Sequence, residues 1–179
     1  MPTNGIIKLE GEAPMISTKL EEYLAQEGVS YTRHAHAPAY TSMEIAHAAH
    51  IPGSEMVKSV ILKADESRLI MAVLSASNTA NLNVLREEIG CDVLRLASES
   101  EFRDAFPTCK VGAMPPFGNL FGVPTYCDSA LARTGEIEFN AGTHDETIRM
   151  ASSDYTRLAD PVMLPFAQPY GEGLQRVAA

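Results

Sequence analysis

Two apolar segments separated by a short polar turn constrain the fold of this protein most. Residues 57–63 read Val-Lys-Ser-Val-Ile-Leu-Lys, and residues 68–74 read Arg-Leu-Ile-Met-Ala-Val-Leu. Both are rich in apolar and β-branched residues, and the polar sequence Asp65-Glu66-Ser67 between them is typical of a turn. The pattern predicts a β-hairpin. The almost continuous apolarity of the second segment predicts a strand that is buried on both faces.

Helix and strand signals alternate along the rest of the sequence. Capping sequences, apolar spacing and glycine stops predict helices that begin near Thr18, Thr41, Asn81, Ser98 and Ser152 or Ser153. Strands are predicted at residues 31–34, 93–96, 123–127, 137–140 and 147–150. This order predicts a single α/β domain in which helices flank a mixed, mostly antiparallel central sheet.

The two ends of the sequence have different composition from the middle. We expect residues 1–14 to form a loose N-terminal arm and residues 15–160 to form the domain. Residues 161–179 contain Pro161, Pro165 and Pro169. We expect them to form an irregular C-terminal tail.

Charge and apolarity exclude several classes of protein. The net charge of −9, with 14 scattered Lys and Arg residues, argues against broad nucleic-acid binding, including DNA binding. A local basic rim that takes only the end of an RNA is still compatible with it. No apolar run approaches the ~20 residues of a membrane span, and the first fifteen residues do not read as a signal peptide. We therefore expect a cytoplasmic protein. Cys91, Cys109 and Cys127 lack metal-type spacing and are predicted to be packing residues.

Two segments have unusual residues for their predicted positions. Lys58 lies near the start of the first apolar strand, where a lysine either extends to the surface or faces a pocket for an anion. The segment 111–118, Val-Gly-Ala-Met-Pro-Pro-Phe-Gly, has the backbone freedom of glycine followed by two stiff prolines. Such a loop can present backbone groups to a ligand, as an oxyanion hole does. It can equally be a tight connection between strands.

A third segment, Asn140-Ala-Gly142-Thr-His144, lies where a predicted strand ends in a turn. Its histidine could bind substrate or orient water, or it could be an ordinary surface residue. The spacings His34-x-His36 and His47-x-x-His50 raise the alternative of a metal-dependent hydrolase, but no acidic partner accompanies them. We therefore predict neither a metal nor a cofactor.

The motifs occur in a characteristic order. The relevant segments are Gly28-Val-Ser-Tyr31, His34 ahead of Thr41-Ser-x-Glu44-Ile-Ala, Met56-Val-Lys-Ser-Val-Ile-Leu-Lys63, residues 69–74, Asn81-Leu82, Gly112-x-x-x-Pro116-Phe-Gly118, Asp128 and Asn140-Ala-Gly142. In this order they resemble the YbaK-type aminoacyl-tRNA deacylases and the related editing insertion of bacterial prolyl-tRNA synthetases. The resemblance covers about residues 17–160.

The resemblance implies an enzyme that hydrolyses the ester between an amino acid and the terminal ribose of a mischarged tRNA. It implies catalytic roles for Lys58, Gly112, Pro116 and His144. The substrate-binding residues that it implies are Ala113, Met114, Pro115, Asn140, Gly142 and His36. The expected partners are the 3′ aminoacyl-adenosine end of tRNA, with tRNA-Pro as the expected acceptor, and prolyl-tRNA synthetase.

Two departures bear on the amino acid that is removed. Met114-Pro115-Pro116 stands where cysteine-clearing relatives commonly have Ser before the final Pro, and His36 stands where some of them have Tyr. The sequence therefore favours alanine, with serine or threonine as alternatives, over cysteine. A non-catalytic module of the same fold that binds tRNA ends or a nucleotide is the alternative function.

Overall fold

The computed structural model describes residues 18–170. Within this range the protein forms five α-helices and ten strands. The helices are α1 (Thr18–Glu27), α2 (Ser42–Ala48), α3 (Leu82–Ile89), α4 (Glu99–Phe102) and α5 (Ser152–Ala159). The strands are β1 (Tyr31–Ala35), β2 (Met56–Ala64), β3 (Arg68–Ser75), β4 (Asn78–Ala80), β5 (Leu94–Leu96), β6 (Thr125–Asp128), β7 (Glu136–Asn140), β8 (Glu146–Ala151), β9 (Val162–Leu164) and β10 (Ala167–Pro169). The predicted arm, residues 1–14, lies outside the described residues.

The predicted hairpin forms the centre of the sheet. β2 and β3 pair antiparallel from Val57–Ser75 to Ala64–Arg68. The strand order is β1-β8-β7-β2-β3-β6-β9, and β5 also pairs with β2. The pairs β1/β8, β7/β8, β2/β3 and β2/β5 are antiparallel, whereas β2/β7, β3/β6 and β6/β9 are parallel. The prediction of a mixed, mostly antiparallel sheet flanked by helices is therefore confirmed.

Apolar side chains cover both faces of β2, because successive side chains of a strand point to opposite faces. On one face, Val57 and Ile61 belong to the larger core, which also contains residues of α1 and α5. On the other face, Val60 and Leu62 pack with α3 and with Phe166. Lys58 and Ser59 lie within this strand and follow the same alternation, so they face opposite sides of the sheet.

The helix ends show which capping signals were correct. Thr41 Oγ1 accepts a hydrogen bond from Glu44 N, and the Glu44 carboxylate accepts one from Thr41 N, as the predicted capping box requires. Asn81 Oδ1 caps α3, and Gly90 ends it with a left-handed backbone. Ser152 and Ser153, in contrast, are helical residues of α5, and the position before the helix is Ala151. None of the helices described in residues 18–170 has the length and apolarity that crossing a bilayer requires.

The prediction of an irregular tail after residue 160 is wrong for the part that is described. β9 adds to the main sheet by pairing in parallel with β6, and β10 pairs with β4 in a second, two-stranded sheet. Both are three-residue strands in a proline-rich segment. Such short strands carry no periodicity of their own, and they form because β6 and β4 supply hydrogen-bonding partners.

Candidate functional site

One edge of β2 is open along its middle. Its pairing with β7 ends at Val57, and its pairing with β5 begins at Leu62, so no described strand pairs with residues 58–61 on this side. The carbonyls of Glu55 and Ile61 point to this side, because they accept hydrogen bonds from Glu138 N at 2.9 Å and Ala97 N at 3.0 Å. Backbone groups alternate in direction along a strand. The N–H and C=O of Ser59 therefore also face the opening.

A cavity of about 430 Å³ lies beside this opening. Residues 59–61 of β2 form one wall, and Leu96, Ala97 and Phe102 form another. The 111–114 loop and His144 close the cavity on the side opposite these walls, and Tyr40 and Thr41 complete the rim. The wall is mainly apolar and carries few polar groups, which is typical of a small-molecule site. The volume suits a small organic group rather than a folded nucleic acid.

The 111–118 loop is held by backbone hydrogen bonds. Gly112 has a φ of 82°, a region that other residues rarely adopt, so the turn depends on glycine. Ala113 N donates to Lys110 O at 3.0 Å, and Lys110 N donates to Gly142 O at 2.8 Å. The second bond joins the loop to the turn after β7. Gly112 and Met114 line the cavity, whereas Ala113 and Pro115 are buried within the loop.

A buried tyrosine fixes the proline end of the same loop. Tyr155 Oη donates a hydrogen bond to Pro116 O at 3.0 Å, and Tyr155 is 1% exposed. Burial raises the pKa of Tyr155 well above its ordinary value, so the hydroxyl stays protonated and continues to donate. Burial also raises the pKa of Cys127 to about 12, which makes this thiol a packing group at neutral pH. Pro116 is therefore a structural support of the cavity wall rather than part of its surface.

His144 has one bonded and one free ring nitrogen. Its Nε2 lies 2.8 Å from Val111 O. A carbonyl can only accept, so Nε2 carries the proton and Nδ1 of the neutral ring is an acceptor. Nδ1 is buried and has no partner among the described residues. The ring also packs against Tyr40, with centroids 5.0 Å apart. The tautomer thus leaves His144 with a free basic nitrogen at the cavity.

Lys58 is buried but does not line the cavity. Its side chain is 8% exposed and lies on the face of β2 opposite Ser59. Its Nζ donates to Tyr170 Oη at 2.5 Å and lies 4.9 Å from the centroid of that ring. No carboxylate in residues 18–170 forms an ion pair with it, whereas Lys63 on the same strand pairs with Glu101. A buried ammonium group without a carboxylate partner is a favourable place for an anion.

Two polar residues hold the segment that carries Tyr170. Asp128 Oδ2 accepts hydrogen bonds from Phe166 N at 2.9 Å and Ala167 N at 2.7 Å. Asn81 N donates to Phe166 O, and Asn81 Nδ2 donates to Gln168 Oε1 at 2.9 Å. These contacts bring the segment of β10 against the sheet face of Lys58. Asp128 and Asn81 thereby support the surroundings of Lys58 from a distance.

Three further predicted residues, Asn140, Gly142 and His36, are not among the residues that line the cavity. Asn140 is 7% exposed, and its Oδ1 is buried without a partner in the described residues. It follows Phe139, which pairs with Val57 at the end of the β2/β7 register, one residue before Lys58. Gly142 is buried with a φ of 108°, and its carbonyl accepts a hydrogen bond from Lys110 N, immediately before the 111–118 loop. His36 N donates to Asp145 O at 2.9 Å, and His36 Nδ1 lies 2.8 Å from Ala37 O.

The structure thus brings Gly112, Met114 and His144 together and leaves Lys58 on the other face of the sheet. Sequence reasoning missed Ser59, the polar cavity residue next to Lys58, although a serine inside an apolar strand was a visible signal. Within residues 18–170, no three His, Cys, Asp or Glu side chains gather in a way that could hold a metal ion.

Comparison with known proteins bears on this site. The sequence profile of the aminoacyl-tRNA editing domain matches residues 36–158. The multifunctional Ser/Thr-tRNA deacylase ProXp-y of Escherichia coli K12 is 30% identical over 152 residues, which cover 83% of this protein and 90% of the relative.

Two solved structures share the fold. The crystal structure of hypothetical protein APE2540 has a TM-score of 0.76 at 20% identity and covers 84% of this protein and 99% of its own length. The crystal structure of a candidate trans-editing enzyme for prolyl tRNA synthetase has a TM-score of 0.71 at 21% identity. The match covers 87% of this protein and 97% of the solved structure. The profile match spans more than half of the sequence, and the deacylase is similar over most of its length. The protein therefore belongs to the aminoacyl-tRNA editing domain family and is a hydrolase that acts on aminoacyl-tRNA esters.

Proposed function

We propose that this protein acts in trans to remove a small, wrongly attached amino acid from tRNA, with tRNA-Pro as the acceptor. The observation that carries the proposal is the cavity of about 430 Å³ between Gly112, His144 and the open edge of β2. It can enclose an aminoacyl group while the RNA stays outside. The similarity to a candidate trans-editing enzyme for prolyl tRNA synthetase supports this acceptor and this synthetase as a partner.

The chemistry asks little of the protein, because an aminoacyl ester is already activated. The site needs to position the carbonyl, stabilise the developing oxyanion and admit water. We assign the oxyanion contact to backbone groups of the 112–116 loop. We assign to His144 Nδ1 the orientation of the attacking water. A hydroxyl of the terminal ribose can assist, so no nucleophilic side chain is required.

Lys58 is assigned to the RNA rather than to the aminoacyl group. Its ammonium group is buried, lacks a carboxylate partner in residues 18–170 and lies beside the same open edge, on the opposite face from the cavity. An RNA end that places its amino acid in the cavity brings its phosphates close to β2. We therefore propose that Lys58 binds a phosphate or the ribose of the terminal adenosine, with Asn140 beside it.

The proposed amino acids are alanine, serine and threonine. The apolar wall formed by Ile61, Phe102 and Met114 suits a short side chain. The similarity to a Ser/Thr-tRNA deacylase supports the hydroxyl-bearing substrates. Family membership does not favour the alternative of a non-catalytic binding module. We place the reaction in the cytoplasm, where aminoacyl-tRNA is used.

A panel of mischarged tRNAs tests the proposal. Purified protein is incubated with tRNA-Pro charged separately with alanine, serine, threonine, cysteine or proline, and loss of the ester is followed over time. We expect faster hydrolysis of the alanyl, seryl or threonyl ester than of the cysteinyl ester, with prolyl-tRNA spared. Hydrolysis of none of them, or cysteine ranked first, would refute the proposed substrate class.

A further inference from the structure

Ser59 is the buried polar side chain of β2 that the assigned roles do not use. It is 8% exposed and lines the cavity, and its Oγ is buried without any hydrogen-bond partner in the described residues. A hydroxyl removed from water and left unpaired destabilises the folded protein. Such a group in a cavity wall therefore calls for an explanation.

Another buried serine of the same sheet does have a hydrogen-bond partner. Ser75 on β3 is also 8% exposed, but its Oγ lies 2.9 Å from Ser77 Oγ and so has a partner. The two serines have the same burial in adjacent strands, and they differ in partner and in position. Ser75 does not line the cavity, whereas Ser59 does. The unpaired hydroxyl is thus associated with the cavity.

The backbone of Ser59 offers further hydrogen-bonding groups beside the unpaired hydroxyl. Its N–H and C=O face the opening between β7 and β5, where no described strand pairs with β2. A donor, an acceptor and a hydroxyl therefore converge from one residue on the edge of the cavity. No basic group in residues 18–170 contacts Ser59 Oγ, so the hydroxyl is suited to hydrogen bonding rather than to nucleophilic attack.

We propose that Ser59 is a specificity-determining residue that selects for a hydroxyl group on the aminoacyl side chain. Its Oγ exchanges a hydrogen bond with the side-chain hydroxyl of a seryl or threonyl ester, and its backbone carbonyl oxygen accepts a hydrogen bond from the α-ammonium group. The inference rests on the proposed function, because it needs the aminoacyl group in the cavity. To the proposed function it adds the residue that distinguishes a seryl from an alanyl ester, whose side chains are of nearly equal size.

The test compares seryl-tRNA-Pro with alanyl-tRNA-Pro. We expect Ser59→Ala to lower the ratio of kcat/KM values, seryl over alanyl, by roughly three- to tenfold, the loss produced by one hydrogen bond. The alanyl kcat/KM should fall by a smaller factor than the seryl kcat/KM, because alanine has no side-chain hydroxyl to bond Ser59 Oγ. Ser59→Cys keeps the shape with a weaker hydrogen bond and should give an intermediate ratio.

Ser75→Ala is the matched control and should leave the ratio unchanged. A Ser59→Ala protein that keeps the wild-type ratio would overturn the inference while leaving the proposed function intact. If Ser59→Ala does not fold, the ratio of Ser59→Cys decides, and a wild-type ratio would again count against it. A wild-type protein that hydrolyses neither ester would contradict the proposed function and this inference together.

Discussion

Lys58 and Ser59 are neighbours in sequence, are equally exposed at 8%, and lie in different environments. Ser59 faces the apolar cavity with the 111–114 loop and His144. Lys58 faces the opposite side, against Tyr170 and the segment of β10. One strand can therefore serve two parts of the same substrate. In the proposed function, the cavity face receives the aminoacyl group, and the other face presents a cation to the RNA.

The two faces are also stabilised differently. The cavity loop is fixed by backbone hydrogen bonds, including one to the turn after β7, and by Tyr155 behind Pro116. Lys58 depends on a segment about 110 residues away, which Asp128 and Asn81 hold in place. A change on one face should therefore alter a different kinetic constant from a change on the other. Substitutions at three positions probe this contrast, from the largest expected effect to the smallest.

Removing the ammonium group should have the largest effect. We expect Lys58→Ala to lower kcat/KM for mischarged tRNA by about 100-fold, because a charge-assisted contact to the RNA is lost. The free energy of unfolding should change little, since a buried charge without a carboxylate partner is costly to keep. Deacylation kinetics and thermal unfolding measure the two quantities. Lys63→Ala on the same strand is the control, and equal losses for both lysines would contradict a specific role.

The cavity face should respond through kcat. Gly112 has a φ of 82°, so Gly112→Ala should destabilise the fold by about 1–2 kcal/mol and shift the loop. We expect kcat to fall roughly tenfold, since oxyanion contacts tolerate small displacements poorly. Gly90→Ala is the matched control, because Gly90 has a φ of 74°, caps α3 and has no atom within 4 Å of an added Cβ. Both variants should lose a similar free energy of unfolding, but only Gly112→Ala should lower kcat. An equal fall of kcat in Gly90→Ala would contradict a specific role of the 112–116 loop in the reaction.

The smallest effect is expected at Tyr170. Tyr170→Phe keeps the ring over Lys58 and loses the hydroxyl acceptor, so KM should rise about two- to threefold with kcat unchanged. Tyr170→Ala also loses the cation–π contact and should raise KM further. Tyr23→Phe, which removes a hydroxyl that bonds Leu158 O, is the control. An unchanged KM in Tyr170→Ala would mean that the β10 segment only packs against the sheet.

Much of the fold followed from local patterns. The β2–β3 hairpin, the capping box of Thr41 and Glu44 and the helix stop at Gly90 are all written in short stretches of sequence, because each depends on neighbouring residues. The strands of the tail were missed, because β9 and β10 exist only through pairing with β6 and β4. In the site, Gly112, Met114 and His144 were expected together and line one cavity. The functional roles of these residues are still predictions.

The sequence by itself determined the hairpin and the glycine-dependent loop, since each rests on residue types at short spacing. It also determined the family of this protein, since that rests on the order of short motifs along the domain. Only the tertiary structure decided which face of β2 carries the cavity and that the open edge of β2 adjoins it. It also decided that Tyr170 covers the lysine. The reason is physical: the gap lies between Val57, where the β2/β7 pairing ends, and Leu62, where the β2/β5 pairing starts, and long-range strand pairing sets both limits.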